Sequence, residues 1–321
     1  MSNGVKIVVP GDDPPQIQGS AQLDRLRERG EVVVYTDRPK SVEEKHERVR
    51  GANVVLNSRS IVTWRESDFA ACPELAMIAT CSVGTDAIDL VAAKQRGIVV
   101  SNQPGVNAPF VAEHMFGLMF AVAKQAYVQT AALKSGRWLL PVNMMLQGKR
   151  LGIVGTGAIG AEMARLGNAV GMEVVAWTYN PTPERAAALG VRFVELDELL
   201  ATSDVVSLHV RLTDDSRGLV GAEQIARMKP NAVLLNGARG DVVDNDALVA
   251  ALERGHLFGA GLDVFPQEPL PADHPILRCE RVVLTPHAAD QTPEAVEAIN
   301  KGAVDNILAF LDGKPRVNVA V

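Results

Sequence analysis

Cysteine is scarce in this chain of 321 residues: only Cys72, Cys81 and Cys279 occur, and aromatic residues make up just 4%. The cysteines lack the spacing of a metal site, and an odd, sparse set argues against a disulfide framework. Reduced thiols are typical of the cytosol, so we expect a cytoplasmic protein that holds no metal.

Long apolar runs and an excess of one charge are also missing. The longest apolar stretch, 110–123, is too short to span a bilayer and carries Glu113 and His114. The first residues lack a basic region followed by an apolar run, so no secretory signal is expected. With 32 basic and 38 acidic residues, the net charge is −6. That balance favours neither nucleic acid nor a membrane as a partner.

The chain does contain a repeated alternation of β-branched runs with amphipathic stretches. The runs that predict strands lie at 5–9, 32–35, 53–56, 75–79 and 98–100, and then at 151–154, 174–177, 205–209, 232–236, 259–263 and 282–285. Strands that are buried on both faces and followed by helices are typical of parallel sheets, so the fold class is α/β. A turn-forming cluster at 102–105 separates the two series, and a long helix is predicted over 109–133.

Length and the two series of strands together predict two domains. The last predicted helix, 293–311, follows the final strand of the second series, and it has room to return to the first domain. We therefore expect a discontinuous first domain, 1–101 plus 289–321, and a second domain, 102–288.

A glycine-rich turn lies between the strand at 151–154 and the helix that follows it. Gly155, Gly157 and Gly160 form the pattern G-x-G-x-x-G. The first glycine permits a tight turn, the second lets the backbone approach a pyrophosphate, and the third allows close packing of helix on strand. Such turns also serve as plain connections, but the strand before and the helix after favour a dinucleotide site.

The residue expected to bind the adenosine ribose is not acidic. The slot after the strand 174–177 holds Thr178, which neither repels a 2′-phosphate nor binds a free hydroxyl as a carboxylate would. No arginine adjoins this slot, since the nearest, Arg185, lies beyond Pro181 and Pro183. We expect NAD(H), and NADP(H) stays open.

Three residues with complementary chemistry follow predicted strands. Arg239 comes after the strand 232–236, and its guanidinium could hold a carboxylate at two points. His287 follows the strand 282–285 and could donate a proton to a carbonyl that is being reduced. Because ligand crevices in such sheets lie at the carboxyl ends of strands, both positions favour catalysis.

Glu268 lies in a proline-rich loop after the strand 259–263, where it could stabilise a charged His287. Each of the three residues also has an ordinary interpretation. Arg239 could form a surface ion pair, His287 could be a half-buried histidine bonded to backbone, and Glu268 could be an exposed loop acid. Their shared position at the carboxyl edge of one sheet favours the catalytic interpretation.

These motifs identify a resemblance that covers essentially the whole chain. The motifs are G-T-G-A-I-G at 155–160, N-G-A-R-G at 236–240, G-L-D-V-F-P-Q-E-P at 261–269, T-P-H at 285–287, G-T-D-A-I-D at 84–89 and V-A-E at 111–113. Together they resemble the D-isomer-specific 2-hydroxyacid dehydrogenase family. The resemblance implies two Rossmann-like domains with doubly wound parallel sheets and an active-site cleft between them. It assigns substrate to the first domain and dinucleotide to the second, and implies a homodimer through the helical region after residue 105.

The resemblance also implies roles for single residues. Arg239 matches the family's substrate-binding arginine, His287 its acid/base and Glu268 the carboxylate partner of that histidine. The backbone around Val83 and Gly84 matches the loop that binds the substrate carboxylate. The positions that match cofactor contacts, besides the glycines, are Ala158 and Ile159 at the pyrophosphate, Thr178 at the adenosine ribose, Val210, Gly237 and Ala238 at the nicotinamide half, and Asp263 facing the nicotinamide amide.

The chain departs from the family pattern at two positions. Thr178 replaces the usual aspartate, and Arg211 stands where a proline often occurs. The first departure affects the choice of cofactor. Arg211 lies near the path of the cofactor and could help to bind a phosphate, although a solvent-facing role is equally compatible with its position.

We therefore predict that a reduced nicotinamide transfers hydride to a small 2-oxo acid, such as glyoxylate or hydroxypyruvate, and gives a D-2-hydroxy acid. Arg59, which follows a strand of the first domain, is a further candidate for anion binding or a surface residue. One alternative is oxidation of a simple anion such as formate or phosphite, against which Glu268 argues. Another is an NAD(H)-sensing co-regulator on the same fold.

Overall fold

The computed structural model describes residues 4–314 and residue 320. The described residues fold as two compact units. The first contains the chain up to Asn107 together with the residues from Gln291 onward, and the second runs from Ala108 to Asp290. The predicted α/β class is confirmed, because every strand pairing in both units is parallel.

The first unit is built on a five-stranded sheet in the order β2-β1-β3-β4-β5. Its strands are β1 (Val5–Val9), β2 (Gly30–Val34), β3 (Val54–Ser58), β4 (Met77–Cys81) and β5 (Val99–Ser101). Its helices are α1 (Gln22–Arg27), α2 (Val42–Arg48), α3 (Glu66–Ala71), α4 (Leu90–Gln95) and the last helix of the chain, α12 (Pro293–Leu311). Every residue of β3 and β4 is buried, as expected for central strands covered on both faces.

Helix α12 belongs to the core of the first unit. It begins where the Thr292 hydroxyl accepts a hydrogen bond from the Ala295 amide at 3.1 Å, with a proline at its first position. Its buried face, which includes Ile299 and Ile307, packs in one apolar cluster with Ile7 of β1. The chain therefore returns to the first unit, and adds a helix to its core, after it has passed through the whole second unit.

The second unit is built on a seven-stranded sheet in the order β12-β11-β10-β9-β6-β7-β8. Its strands are β6 (Arg150–Val154), β7 (Glu173–Trp177), β8 (Arg192–Phe193), β9 (Val205–Leu208), β10 (Val233–Asn236), β11 (Gly259–Leu262) and β12 (Val282–Leu284). Its helices are α5 (Ala108–Lys124), α6 (Ala126–Lys134), α7 (Ala158–Ala169), α8 (Pro183–Leu189), α9 (Leu196–Thr202), α10 (Ala222–Arg227) and α11 (Asn245–Glu253), and Gly240–Val242 and Pro275–Arg278 form 3₁₀ turns.

Apolar clusters cover both faces of this second sheet. Leu234 of β10 joins the cluster on one face, and its neighbour Leu235 joins the cluster on the other. This alternation is what a parallel sheet with helices on both sides requires. Along the described stretch of chain, the helices all fall short of the length and apolar character needed to cross a membrane.

The prediction of one long helix over 109–133 is wrong, because the structure has two helices there, α5 and α6. The break is at Gln125, whose φ of +47° places a residue other than glycine in the left-handed region. The Gln125 side chain donates a hydrogen bond to the Val142 carbonyl at 2.8 Å. This contact with a distant segment helps to offset the cost of the left-handed backbone. The prediction also missed the two-residue strand β8.

Candidate active site

The glycine turn connects β6 to α7, and its three glycines have different surroundings. Gly155 has φ +96°, and a Cβ there would lie 2.8 Å from the carbonyl oxygen of His209. A Cβ on Gly160 would lie 2.0 Å from the carbonyl oxygen of Gly155. A Cβ on Gly157 would meet no atom within 4 Å. The first and third glycines are therefore needed for packing, whereas the second faces open space of the kind that a ligand could fill.

The start of α7 suits an anion. Gly157 is the N-cap residue and supplies no side-chain acceptor for the first turn. The amides of Ala158 and Ile159 belong to that turn, where N–H groups have no partner within the helix. Free amides at the positive end of the helix dipole are the chemistry that binds a pyrophosphate. The residues present therefore fit a dinucleotide at the predicted turn.

The end of β7 corrects one expectation about the cofactor site. Arg185, placed beyond reach by the sequence, folds back across the loop that begins at Thr178. Its Nη1 donates to the Asn180 carbonyl. Its Nη2 donates to the carbonyl of Thr156 at 3.1 Å and to the hydroxyl of the same residue at 2.8 Å. An arginine therefore joins the glycine turn to the loop after the second strand of the unit.

The residues expected near the nicotinamide all follow neighbouring strands. Val210 lies just beyond β9, Gly237 and Ala238 directly follow β10, and Asp263 directly follows β11. Val210 and Ala238 are 7% and 6% exposed. Gly237 approaches α5 so closely that a Cβ would lie 2.5 Å from the sulfur of Met115. Parallel strands thus bring these four positions to one edge of the sheet.

Asp263 holds the turn that carries His287. Its backbone carbonyl accepts a hydrogen bond from the His287 amide at 2.8 Å. Its carboxylate accepts from the amides of Ala288 at 2.9 Å and Ala289 at 3.1 Å. Asp263 is only 1% exposed. Three successive amides of the turn are therefore bound to one buried residue, a role that the sequence did not predict.

His114 on α5 extends this network, and sequence reasoning missed it as well. The Thr285 hydroxyl donates to Asp263 Oδ1 at 2.6 Å, and His114 Nε2 lies 2.9 Å from the same hydroxyl oxygen. Since the hydroxyl proton is given to Asp263, His114 Nε2 is the donor to Thr285. The network matters because His287 has φ +51°, a strained value for a residue other than glycine.

Glu268 and His287 are in direct contact. His287 Nδ1 lies 2.7 Å from Glu268 Oε2, and the amide of Phe265 donates to Glu268 Oε1 at 3.0 Å. The side chains are 36% and 45% exposed for Glu268 and His287, so the pair is open on one side. The predicted pairing of these two residues is present in the structure.

The pKa of the Glu268 carboxyl is lowered from its ordinary value. Partial burial is the largest single effect and raises this pKa, but several contacts together outweigh it. They are the hydrogen bond and charge of His287, the amide of Phe265 and the charge of Arg239. Glu268 is therefore ionised at neutral pH and can only accept hydrogen bonds. His287 Nδ1 must therefore carry a proton, and Nε2 is the ring nitrogen whose protonation can change while this contact is kept.

Arg239 lies at the carboxyl end of β10. Its carbonyl accepts a hydrogen bond from the Asn236 side chain at 2.9 Å, and its Nη1 donates to the Ala238 carbonyl at 2.7 Å. The first contact fixes the backbone of Arg239, and the second fixes one nitrogen of its half-buried guanidinium. Since its charge also acts on Glu268, Arg239 belongs to the same electrostatic site as the Glu268–His287 pair.

In the first unit, side chains hold the carbonyls of the predicted carboxylate-binding loop. Asn102 Nδ2 donates to the Val83 carbonyl at 2.8 Å, and the Ser82 hydroxyl donates to the Gly84 carbonyl at 2.9 Å. The hydroxyls of Ser60 and Ser82 lie 2.6 Å apart. Among the described residues, no acceptor binds the amides of Val83 and Gly84, so both could bind an anion.

Arg59 stands at the end of β3 in an unusual backbone conformation. Arg59 and Ser60 have φ of +49° and +55°, so two successive residues other than glycine lie in the left-handed region. Strain of this kind clusters at functional sites, but it does not by itself assign a ligand.

Comparison with known proteins gives one consistent family. Residues 116–289 match the sequence model of the D-isomer specific 2-hydroxyacid dehydrogenase, NAD binding domain. The chain is 38% identical to a glyoxylate reductase from Korarchaeum cryptofilum over 299 residues, 91% of this chain and 90% of that protein.

Solved structures with similar folds agree with this result. A D-lactate dehydrogenase from Aquifex aeolicus, complexed with NAD and lactic acid, superposes with a TM-score of 0.87 at 30% identity over 98% of this chain and 99% of that one. An acyclic imino acid reductase in complex with NADPH and D-Arg gives a TM-score of 0.89 at 28% identity over 99% of this chain and 100% of that one.

Proposed function

The chain belongs to the D-isomer-specific 2-hydroxyacid dehydrogenase family, and from this premise we propose that it reduces a small 2-oxo acid to the D-2-hydroxy acid. The observation that carries the proposal is the 2.7 Å contact between His287 Nδ1 and Glu268 Oε2. A histidine held in this way can protonate a carbonyl oxygen through Nε2 in one direction and remove the proton in the other.

A nicotinamide dinucleotide, when bound, supplies or accepts the hydride. The chain's own residues bind and orient the substrate and move the proton. Arg239 binds the carboxylate of the 2-oxo acid and polarises its carbonyl group. Glu268 remains ionised and stabilises the positive charge that develops on the ring of His287 when it holds both protons.

We assign further binding roles as the family resemblance implies. The amides of Val83 and Gly84 bind the substrate carboxylate, and Arg59 is an additional anion contact. The dinucleotide is held by the glycine turn and its flanking amides, with Gly155, Gly157, Gly160, Ala158 and Ile159 at the pyrophosphate, Thr178 at the adenosine ribose, and Val210, Gly237, Ala238 and Asp263 along the nicotinamide half. The open space at Gly157 and the uncapped start of α7 support this assignment.

We also propose a homodimer. After α6 the chain exposes a run of apolar side chains, with Trp138, Leu140 and Val142 exposed by 82%, 80% and 88%. Several large apolar side chains exposed along one segment are typical of an interaction site. A second copy of this chain is the proposed occupant, and no nucleic acid or membrane partner is proposed. The free thiols of Cys72, Cys81 and Cys279 support a cytoplasmic location.

The test is a spectrophotometric screen of NADH and NADPH oxidation with glyoxylate, hydroxypyruvate, pyruvate and bulkier 2-oxo acids. We expect turnover with at least one small 2-oxo acid and a D-configured product. His287→Ala should lower kcat at least about 100-fold, because general acid catalysis contributes about that much or more, and it should leave cofactor binding nearly unchanged. Tight cofactor binding without turnover of any acid would favour the sensor, and unchanged turnover in His287→Ala would refute the assigned acid.

A further inference from the structure

Arg185 occupies a position at the adenosine end of the dinucleotide site that the mechanism does not use. It lies in the first turn of α8, where its amide donates to the Thr182 hydroxyl at 3.2 Å. Side chains in a first turn point back toward the start of the helix. The guanidinium therefore reaches the loop after β7, where it binds Asn180, and the glycine turn, where it binds Thr156.

The guanidinium is held in place but keeps hydrogen-bonding capacity. It has five N–H donors. Nη1 binds one carbonyl and Nη2 binds the two oxygens of Thr156, so Nε–H and the second hydrogen of Nη1 have no acceptor within residues 4–314. The Phe193 ring, whose centroid is 6.0 Å from the guanidinium carbon, supports it from one side. The guanidinium is thus pre-organised for one more partner that accepts two hydrogen bonds.

The charge of Arg185 is also unpaired. No carboxylate lies within ion-pair distance of Arg185 anywhere in the described chain. Nearby arginines differ: Arg192 on β8 contacts Glu198 at 2.9 Å, and Arg165 on α7 contacts Glu162 at 2.8 Å. An anionic ligand would supply the counter-charge that this half-buried cation lacks.

The position that usually rejects a phosphate is neutral in this chain. The residue directly after β7 is Thr178 rather than an acid. An acid there would bind the ribose diol of NAD(H) and repel a 2′-phosphate. Acidic charge does act near this loop, since Asp215 raises the pKa of Tyr179 and the exposed Glu184 precedes Arg185 in the first turn of α8. The hydroxyl of Thr178 and the guanidinium of Arg185 instead offer donors to a phosphate.

From these observations we propose that Arg185 binds the 2′-phosphate of NADP(H), and that the enzyme prefers NADPH to NADH. The proposal rests on the proposed dinucleotide site and names the form of cofactor that this site takes. Charge-assisted hydrogen bonds to a phosphate predict a preference of about 10- to 100-fold in dissociation constant.

A purely structural role for Arg185 makes a different prediction. Its contacts with Asn180 and Thr156 join two segments of the site, so their loss would loosen the adenosine pocket for any dinucleotide. In that case, removal of the guanidinium would raise the dissociation constants of NADH and NADPH by the same factor. The ratio of the two dissociation constants therefore distinguishes phosphate recognition from bracing.

The experiment is a binding titration of the full-length protein that needs no turnover. Dissociation constants are measured by cofactor fluorescence for NADPH and NADH, and by calorimetry for 2′,5′-ADP and 5′-AMP, with the wild type and Arg185→Gln. We expect the wild type to bind the two ligands with a 2′-phosphate, NADPH and 2′,5′-ADP, more tightly than NADH and 5′-AMP. Arg185→Gln should raise the dissociation constants of NADPH and 2′,5′-ADP about 10- to 100-fold, while that of NADH changes about 2-fold or less. Arg185→Lys, which keeps the charge but loses the fork, should fall between the two.

Two further variants sharpen the test. Arg192→Gln removes the same charge from the neighbouring strand, and it should leave the ratio of dissociation constants unchanged because Arg192 is paired with Glu198. Thr178→Asp should reverse the preference toward NADH by repelling the phosphate. Equal weakening of both cofactors in Arg185→Gln, or a wild type that binds NADH as tightly as NADPH, would overturn the proposal. Because the readout is binding, either result leaves the proposed reduction of 2-oxo acids to be judged separately by the substrate screen.

Discussion

Two hydrogen bonds orient the carboxylate of Glu268, and this orientation determines which nitrogen of His287 would exchange a proton with substrate in the proposed reaction. The Phe265 amide holds Oε1, and Oε2 accepts from His287 Nδ1. Because the lowered pKa keeps Glu268 ionised, the ring cannot turn without losing a charge-assisted hydrogen bond. A single carboxylate thus determines the tautomer of the His287 ring and therefore the nitrogen, Nε2, through which a proton would be transferred.

At this scale we predict that Glu268→Gln lowers kcat by at least about tenfold and leaves the dissociation constant of the cofactor unchanged. The amide preserves the shape of the side chain but removes the charge that stabilises the protonated ring. The wild type should lose activity as the pH falls through the pKa of Glu268, because the protonated carboxyl no longer stabilises that ring. Since this pKa is lowered, the loss should occur below the ordinary glutamate value of 4.5.

The measurement is kcat against pH for the wild type and Glu268→Gln, with circular dichroism at each pH to confirm that the protein is folded. The acidic limb that belongs to Glu268 should be absent from the variant. Glu223→Gln is the control, because the Glu223 side chain is 70% exposed and forms an ion pair with Arg227 on its own helix, so its loss should not affect the profile. A variant with the kcat and pH profile of the wild type would exclude Glu268 from the mechanism.

Among the elements, the strand ends determine where the site can form. β10, β11 and β12 are neighbours in the sheet, and each is followed by one part of the site: Arg239, the Asp263–Glu268 loop and the His287 turn. The turn after β12 does not lead directly into a helix, since α12 begins only at Pro293. Its geometry depends on Asp263, whose carbonyl and carboxylate bind three successive amides.

From this dependence we predict that Thr285→Val lowers kcat about 10- to 100-fold, because a small displacement of a catalytic group has effects of that size. Valine has nearly the same shape but cannot join His114 to Asp263. Kinetic assays and NADPH titration together separate positioning from cofactor binding, whose dissociation constant should not change.

Thr285→Ser should restore most of the rate, because serine keeps the hydroxyl. Thr202→Val is the matched control, since among the described residues the hydroxyl of Thr202 bonds to the Glu198 carbonyl within α9 and takes no part in the Asp263 network. If Thr285→Val weakened cofactor binding but left kcat intact, the hydroxyl of Thr285 would support the cofactor site and not the position of His287.

The elements also show what a sequence can predict. Eleven of the twelve strands that the described residues form were predicted, most of them from runs rich in Val and Ile, because burial on both faces leaves a continuous apolar pattern. The exception, β8, has two residues and no such pattern. The break at Gln125 was not predictable either, since neither glycine nor proline marks it and the contact that favours it is with Val142.

The same distinction applies to the site. The shared position of Arg239, Glu268 and His287 at one edge of the sheet could be predicted, because parallel strands bring their carboxyl ends together there. The contacts of His114 and Arg185 could not, since each depends on where a side chain points after folding. His114 meets Thr285 at a separation of 171 residues. Arg185 had a local signal, a threonine N-cap followed by proline, which predicts the start of α8 but not the reach of the guanidinium.

For the molecule as a whole, one segment of the second unit exposes large apolar side chains to solvent. Leu133, Trp138, Leu140 and Val142 are all more than half exposed, and they lie within one short segment of the second unit. Burying such side chains contributes roughly 1.5–3 kcal/mol each, so leaving them in water forgoes a large stabilisation. A symmetric dimer would bury this segment twice, because both subunits present the same surface.

We therefore predict that the wild type is a dimer in solution and that Val142→Glu, which places a charge in the proposed interface, is a monomer at micromolar concentration. The expected molar mass falls by half in size-exclusion chromatography with light scattering. Val91→Glu is the control, because Val91 is 69% exposed in the first unit, outside this segment, and its substitution should leave the dimer intact. A monomeric wild type would refute the homodimer. A Val142→Glu protein that stays dimeric would place the interface elsewhere, and the exposed apolar segment would then need another partner.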